Sequence, residues 1–172
     1  YEIIQQMIRL TPSQNLTPIN FKAPETWIAT WFGTGFIQPA PGTWGTLAGI
    51  PFGIGLMLIG GIPALLIGVA LIMPIGVWAA KKFEIMARDK DSSMIVIDEV
   101  VGLWVSLIPA VLTPWSICLA FCLFRIFDIL KPYPVSWLDK KIHGGLGIMA
   151  DDLMAGIYAA LTLIGLRYAG FG

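Results

Sequence analysis

VVGLWVSLIPAVLTPWSICLAFCLF, residues 100–124, is an uncharged run with prolines at 109 and 114 and charged segments on both sides. Its reading decides the fold. If the run crossed a bilayer once, the polar segments 81–99 and 125–152 would face opposite compartments. If it turns between Pro109 and Pro114, both face the same one. The turn is the better reading, because PAVLTP carries no charge and two nearby prolines punctuate a helix. Each arm then borrows residues from the flanking polar motifs, about Ile95–Val111 and Pro114–Leu130. At 1.5 Å per residue each arm reaches roughly 25 Å, close to a hydrocarbon core of about 30 Å.

Working outward, Thr46–Ala80 is also uncharged and is broken by Gly60-Gly61-Ile62-Pro63. The break predicts two helices of about 15 and 18 residues. Leu153–Leu166 is a last apolar helix, in which Gly156 permits close helix contact. Lys81–Asp91 reads as a charged loop. Residues 33–46 read as a Gly/Pro/Thr loop. Ahead of them, residues 1–32 form a polar and interfacial lead-in; Trp27, Trp31 and Phe32 at its end, with Phe36 just beyond, are aromatic side chains suited to a headgroup layer. Glu2–Lys22 has no continuous apolar stretch of the signal-peptide kind, so insertion is expected to rest on the later helices.

Composition agrees. Of 172 residues 56% are hydrophobic and 13% charged, about half the charged share of a soluble domain. The expected architecture is all-α: one polytopic membrane domain (1–172, with its catalytic membrane core at 33–172) of four to five short transmembrane helices. Its polar site would lie at the cytoplasmic face, because in the turn reading Arg167 is the one Lys or Arg outside that face. The formal net charge of zero leaves no footprint for nucleic acid. Cys118 and Cys122 share one helical face and read as small packing residues rather than a disulfide. The sequence assigns no oligomeric state.

Asp98, Glu99, Arg125 and Asp128 would then sit inside the ends of membrane helices. An unpaired charge near the bilayer centre costs on the order of 2.5–3.5 kcal/mol, so four of mixed sign imply mutual pairing or a compensating ligand. Asp98-Glu99 opens a helix, where the dipole favours carboxylates and where a hard cation would find oxygen ligands. Arg125, Asp128 and Lys131 recur every three residues along one helix stripe, which Pro132 ends. An arginine can fork onto two phosphate oxygens, while a lysine acts as a point charge. His143, the only histidine, precedes Gly144-Gly145-Leu146-Gly147 and the pair Asp151-Asp152, which could add metal ligands or a base. Finally, Gly42 and Thr43 lie in the loop stretch PGTWGT that leads into the first membrane helix, whose start could seat an anion.

These segments resemble the phosphatidylglycerophosphatase A family. The matching strings are PGTWGT (41–46), DEVVGLW (98–104), FRIFDILKPYPVSWLD (124–139) and HGGLGIMADDLMAG (143–156). Each is weak alone; four in register are specific. The resemblance implies a bacterial inner-membrane enzyme that hydrolyses phosphatidylglycerophosphate to phosphatidylglycerol and phosphate with Mg²⁺. It places the site at Asp98, Glu99, Arg125, Asp128, Lys131, Asp151 and Asp152, with Thr43 and His143 less firmly included. Asp98, Glu99, Asp151 and Asp152 are the expected metal ligands. Arg125, Lys131, Thr43 and Gly42 are the expected substrate contacts, and His143 is the candidate to protonate the leaving oxygen. Water attack is favoured over a phospho-aspartate, since the DxDxT string is absent.

Other readings are weaker. A phosphatase of another lipid phosphate stays close to this one. A transporter or channel would put polar residues near the bilayer midplane, where Ala48–Ala80 has no charge. A scaffold would need no clustered carboxylates. A CDP-alcohol phosphotransferase would need a motif that is missing.

Overall fold

The computed structural model describes residues 19–90, 92–141 and 144–170. Every regular element among them is helical: α1 (Pro24–Ala29), a 3₁₀ turn (Thr34–Phe36), α2 (Pro41–Ala87), α3 (Ile97–Leu107), α4 (Pro114–Leu130), α5 (Val135–Lys141) and α6 (Gly145–Tyr168).

The long helix α2 is a hairpin. Gly60 (φ −148°, ψ 18°) and Gly61 (φ 63°, ψ −152°) leave helical geometry, and the second conformation is one that glycine reaches without a Cβ clash. The chain therefore folds back. A β-carbon on Gly68 would lie 2.6 Å from Leu56 Cδ1, although residues that far apart in a straight helix are about 18 Å apart. Gly45 likewise meets Val96, and Gly76 meets Ile97, so the arms 41–59 and 62–87 flank the same helix.

That helix is α3. Every residue from Val100 to Leu107 is buried, and both α2 arms, α4 and α6 contact it. Trp104 donates from Nε1 to the Gly49 carbonyl at 2.9 Å, tying α3 to the first arm. Against α6 the approach is closer still. A β-carbon on Gly156 would fall on the Gly102 backbone, and one on Gly102 on the Phe124 ring and, at 2.6 Å, the Asp152 carbonyl. Helices with facing glycines can meet backbone to backbone. Because Ile97 and Met149 both face Gly76 while Gly102 meets Gly156, α3 and α6 run parallel.

The turn expected between the two prolines is present. Residues 108–113 leave the helix; Thr113 Oγ1 accepts from Ser116 N, and Pro114 occupies the first turn of α4. Ser116 Oγ accepts from Val111 N at 3.1 Å, which locks the turn. At the same end Arg167 Nη1 donates to the Pro109 carbonyl. The N-termini of α2, α3 and α6 and the C-terminus of α4 gather at the opposite end.

Several boundaries differ from those expected. Pro41 starts α2 inside the segment read as a loop, since proline at a first turn forgoes a donor the helix does not use. The second arm runs on through Lys81 and Lys82, good helix formers, to Ala87, where Arg88 (φ 53°) ends it. Residues 135–141, within the charged segment 125–152, form the short helix α5.

Among the described residues two helices, α2 and α6, are long and apolar enough to cross a membrane, and only 6% of the most apolar stretch of α2 is buried. Leu58, Ile59, Leu66, Ile67 and Leu71 all face outward. So much contiguous exposed apolar surface fits lipid, not water, as the solvent of these helices.

Candidate active site

A cavity of about 380 Å³ opens at the end where the three helix N-termini meet. Asp98, Glu99, Arg125, Asp128, Lys131, Asp151 and Asp152 all line it, together with Gly42. The distant polar segments therefore converge, as the turn at 108–113 requires.

Asp98 and Glu99 lie in the first turn of α3, and Asp152 lies on the second turn of α6, nearly buried. One carboxylate oxygen from each lies within 4.8 Å of the others. Asp98 Oδ1, Glu99 Oε2 and Asp152 Oδ2 are all buried without a hydrogen-bond partner among the described residues. Three orphaned, buried carboxylate oxygens would be costly unless a cation meets them. The donor set is hard oxygen only, which fits a divalent ion such as Mg²⁺.

The two cations play different parts. Arg125 Nη1 is 2.7 Å from Asp128 Oδ2, 3.5 Å from Glu99 Oε1 and 3.5 Å from Thr46 Oγ1. The Thr46 hydroxyl donates in turn to the Gly42 carbonyl at 2.7 Å. Arg125 Nε is buried and has no partner among the described residues. Lys131 ends α4 in a left-handed conformation (φ 41°), and its Nζ reaches Asp151 Oδ2 at 2.7 Å. The other Asp151 oxygen accepts from Asp152 N at 3.1 Å. Asp151 is thus engaged with Lys131 and the backbone, apart from the three clustered acids.

Gly42 shows why the PGTWGT stretch belongs here. A β-carbon there would collide with the Glu99 carboxylate and crowd Arg125 Nη1, so only glycine lets the start of α2 close over the ion pair. Thr43 lies next along the helix and is not among the lining residues. His143 lies outside the described residues. Five carboxylates and two cations share the cavity, an excess of acid that would repel a phosphate unless cations offset it.

Sequence reasoning missed part of the lining: Ser92, Ser93 and Ile95, with Ala40 and Pro41. A pair of small hydroxyl residues just ahead of Asp98-Glu99 was the available signal. It is faint, because Ser-Ser is ordinary loop composition.

A family model described as Phosphatidylglycerophosphatase A matches residues 27–167. The chain is 40% identical over 161 residues to Phosphatidylglycerophosphatase A of Haemophilus influenzae, covering 92% of this chain and 98% of that protein. It is 36% identical over 136 residues to the protein of the same name from Escherichia coli, covering 77% of each. It is also 38% identical over 151 residues to a Bacteroides thetaiotaomicron protein provisionally named a phosphatidylinositol-3-phosphatase, covering 82% of this chain and 92% of that one. No solved structure matches the chain.

Proposed function

The chain belongs to the phosphatidylglycerophosphatase A family, and from that premise we propose that it is the lipid phosphatase that converts phosphatidylglycerophosphate to phosphatidylglycerol and inorganic phosphate in phospholipid synthesis. One observation carries the reading. Buried oxygens of Asp98, Glu99 and Asp152, without a hydrogen-bond partner among the described residues, converge beside Arg125 and Lys131 at one end of a bundle with an apolar exterior.

In the proposed reaction a P–O bond to water forms and the P–O bond to the terminal glycerol breaks. Asp98, Glu99 and Asp152 would hold Mg²⁺, which when bound would shield the phosphate's charge and make a nearby water more acidic. Arg125 is held from one side by Glu99 and Asp128, leaving Nε as a donor toward phosphate. Lys131, positioned by Asp151, adds positive charge at the mouth. Asp128 therefore orients Arg125, and Asp151 orients Lys131; neither needs to touch the reacting atoms. His143 remains the candidate to deliver a proton to the glycerol oxygen.

The placement suits a lipid. We read the α2 arms, α3, α4 and α6 as five short crossings of the bacterial inner membrane with the cavity on the cytoplasmic side. A headgroup could then enter the cavity while its acyl chains stay in the bilayer. The Bacteroides relative's name favours a second reading, a phosphatase of another lipid monoester, through the same residues.

The deciding experiment is phosphate release from phosphatidylglycerophosphate by detergent-purified protein, with Mg²⁺ and then with EDTA. Release that stops in EDTA and returns with Mg²⁺ supports the reading. Release indifferent to EDTA removes the metal, and release only from a phosphoinositide monoester replaces the substrate.

A further inference from the structure

We propose that Ser92 is a substrate-contact residue whose hydroxyl donates a hydrogen bond to an oxygen of the phosphate monoester in the cavity. The inference deepens the phosphatase reading and rests on it. Ser92 lines the same cavity as the acids. It is only 4% exposed, and its Oγ is buried without a hydrogen-bond partner among the described residues. A buried hydroxyl rarely goes unpaired, because losing water without a replacement is unfavourable. Unlike the three orphaned carboxylates, which attract a cation, a hydroxyl can donate, and an anion's oxygen is the partner such a donor fits.

The loop around it is held still. Ser92 O accepts from Ile95 N at 2.9 Å, and Val96 N donates to the Ala29 carbonyl at 2.9 Å. Nearby, the Met94 carbonyl packs so closely on Gly35 that no β-carbon would fit there. The segment, which links α2 to α3, is thus tied to α1 and to the 3₁₀ turn, and it enters α3 at Ile97, one residue before Asp98. A donor mounted this way sits on a backbone-tied loop that leads directly into the carboxylate-bearing turn of α3, as a positioning contact must. The cations Arg125 and Lys131 both lie on α4 or at its end and are already engaged by Glu99, Asp128 and Asp151. Ser92 supplies a neutral donor from a different element, so that a bound phosphate is gripped from two directions.

The test compares Ser92→Ala, Ser92→Cys and Ser92→Thr in the full-length, detergent-purified protein. It measures kcat/KM for phosphatidylglycerophosphate, the inhibition constant of inorganic phosphate, and the melting temperature. Losing one hydrogen bond to a charged group is expected to lower kcat/KM and raise the phosphate inhibition constant, each by about tenfold or more. Ser92→Thr should recover both. Ser92→Cys keeps the volume but weakens the donor, and should move both constants the same way even if Ser92→Ala is too unstable to purify. Unchanged kinetics in Ser92→Cys and Ser92→Ala would overturn the proposal. So would a fall in kcat/KM with phosphate inhibition unmoved, since the serine would then act away from the phosphate. If the wild type hydrolyses a different lipid monoester, the substrate reading fails while this test runs unchanged on that lipid.

Discussion

Gly102→Ala tests whether the cavity depends on the backbone contact between α3 and α6. A β-carbon at position 102 would sit 2.6 Å from the Asp152 carbonyl and 2.8 Å from Phe124 Cζ. Ordinary van der Waals contact begins at 3.4 Å, so α6 must retreat by about 0.8 Å or more at the very residue that supplies the third carboxylate. Overpacking of this kind costs about 1–3 kcal/mol in stability. A misplacement of about 1 Å at a reacting centre costs on the order of 10²-fold in rate. The expected result is a protein that still folds, with a modestly lower melting temperature, and whose phosphate release falls by about two orders of magnitude. Gly55→Ala is the control: nothing lies within 4 Å of a β-carbon there, and both readouts should hold at wild-type values. Wild-type turnover in Gly102→Ala would refute the dependence on this seam.

Asp98→Asn or Asp152→Asn should lower turnover by more than the roughly 10–100-fold that outer partners of a metal site typically cost, and should raise the Mg²⁺ concentration needed for half-maximal phosphate release. Arg125→Lys should behave as a loss and not as a conservative change, since a lysine whose single nitrogen replaced Nη1 at Asp128, Glu99 and Thr46 would leave no second donor in the place of Nε to offer phosphate; wild-type KM would contradict this. Lys131→Met should lose about 1.5–3 kcal/mol through its 2.7 Å contact with Asp151, read as a shift in thermal unfolding, with part recovered in the double variant with Asp151→Asn. Single cysteines replacing Lys90 and Lys141 should label from one side of sealed vesicles and one replacing Leu112 from the other, on a background lacking Cys118 and Cys122; labelling of Lys90 and Leu112 positions from the same side would break the turn-based topology.

Much of this architecture was legible in the order of apolar and charged residues. The prolines at 109 and 114 and the glycines at 60 and 61 mark breaks that the structure confirms as turns, because both residue types act on the local backbone and need no tertiary information. The convergence of Asp98, Arg125, Lys131 and Asp152 followed from the first of those turns. Where sequence reading stopped short, the deciding fact was three-dimensional. Nothing in the string says that Asp151 turns to Lys131 while its neighbour Asp152 turns to Asp98 and Glu99; successive residues on a helix diverge by about 100°, and only packing against α3 chooses between them. The helical start at Pro41 was hidden by the glycines and threonines around it, which are poor helix formers held in place by close contact with α3. Ser92 gave no signal of its own until the loop was seen against the cavity.

The double glycine at positions 60 and 61 has a further consequence for how the chain reaches its destination. A hairpin whose tip is Ile59-Gly60-Gly61-Ile62 carries no ionised group at its leading edge, so its passage through hydrocarbon exposes little beyond a few main-chain amides. In the proposed five-crossing topology both arms would enter together as one wedge, with the lysines at 81 and 82 serving as a brake that stays behind. The bundle's electrical lopsidedness would be established during biogenesis, before any catalytic pocket exists.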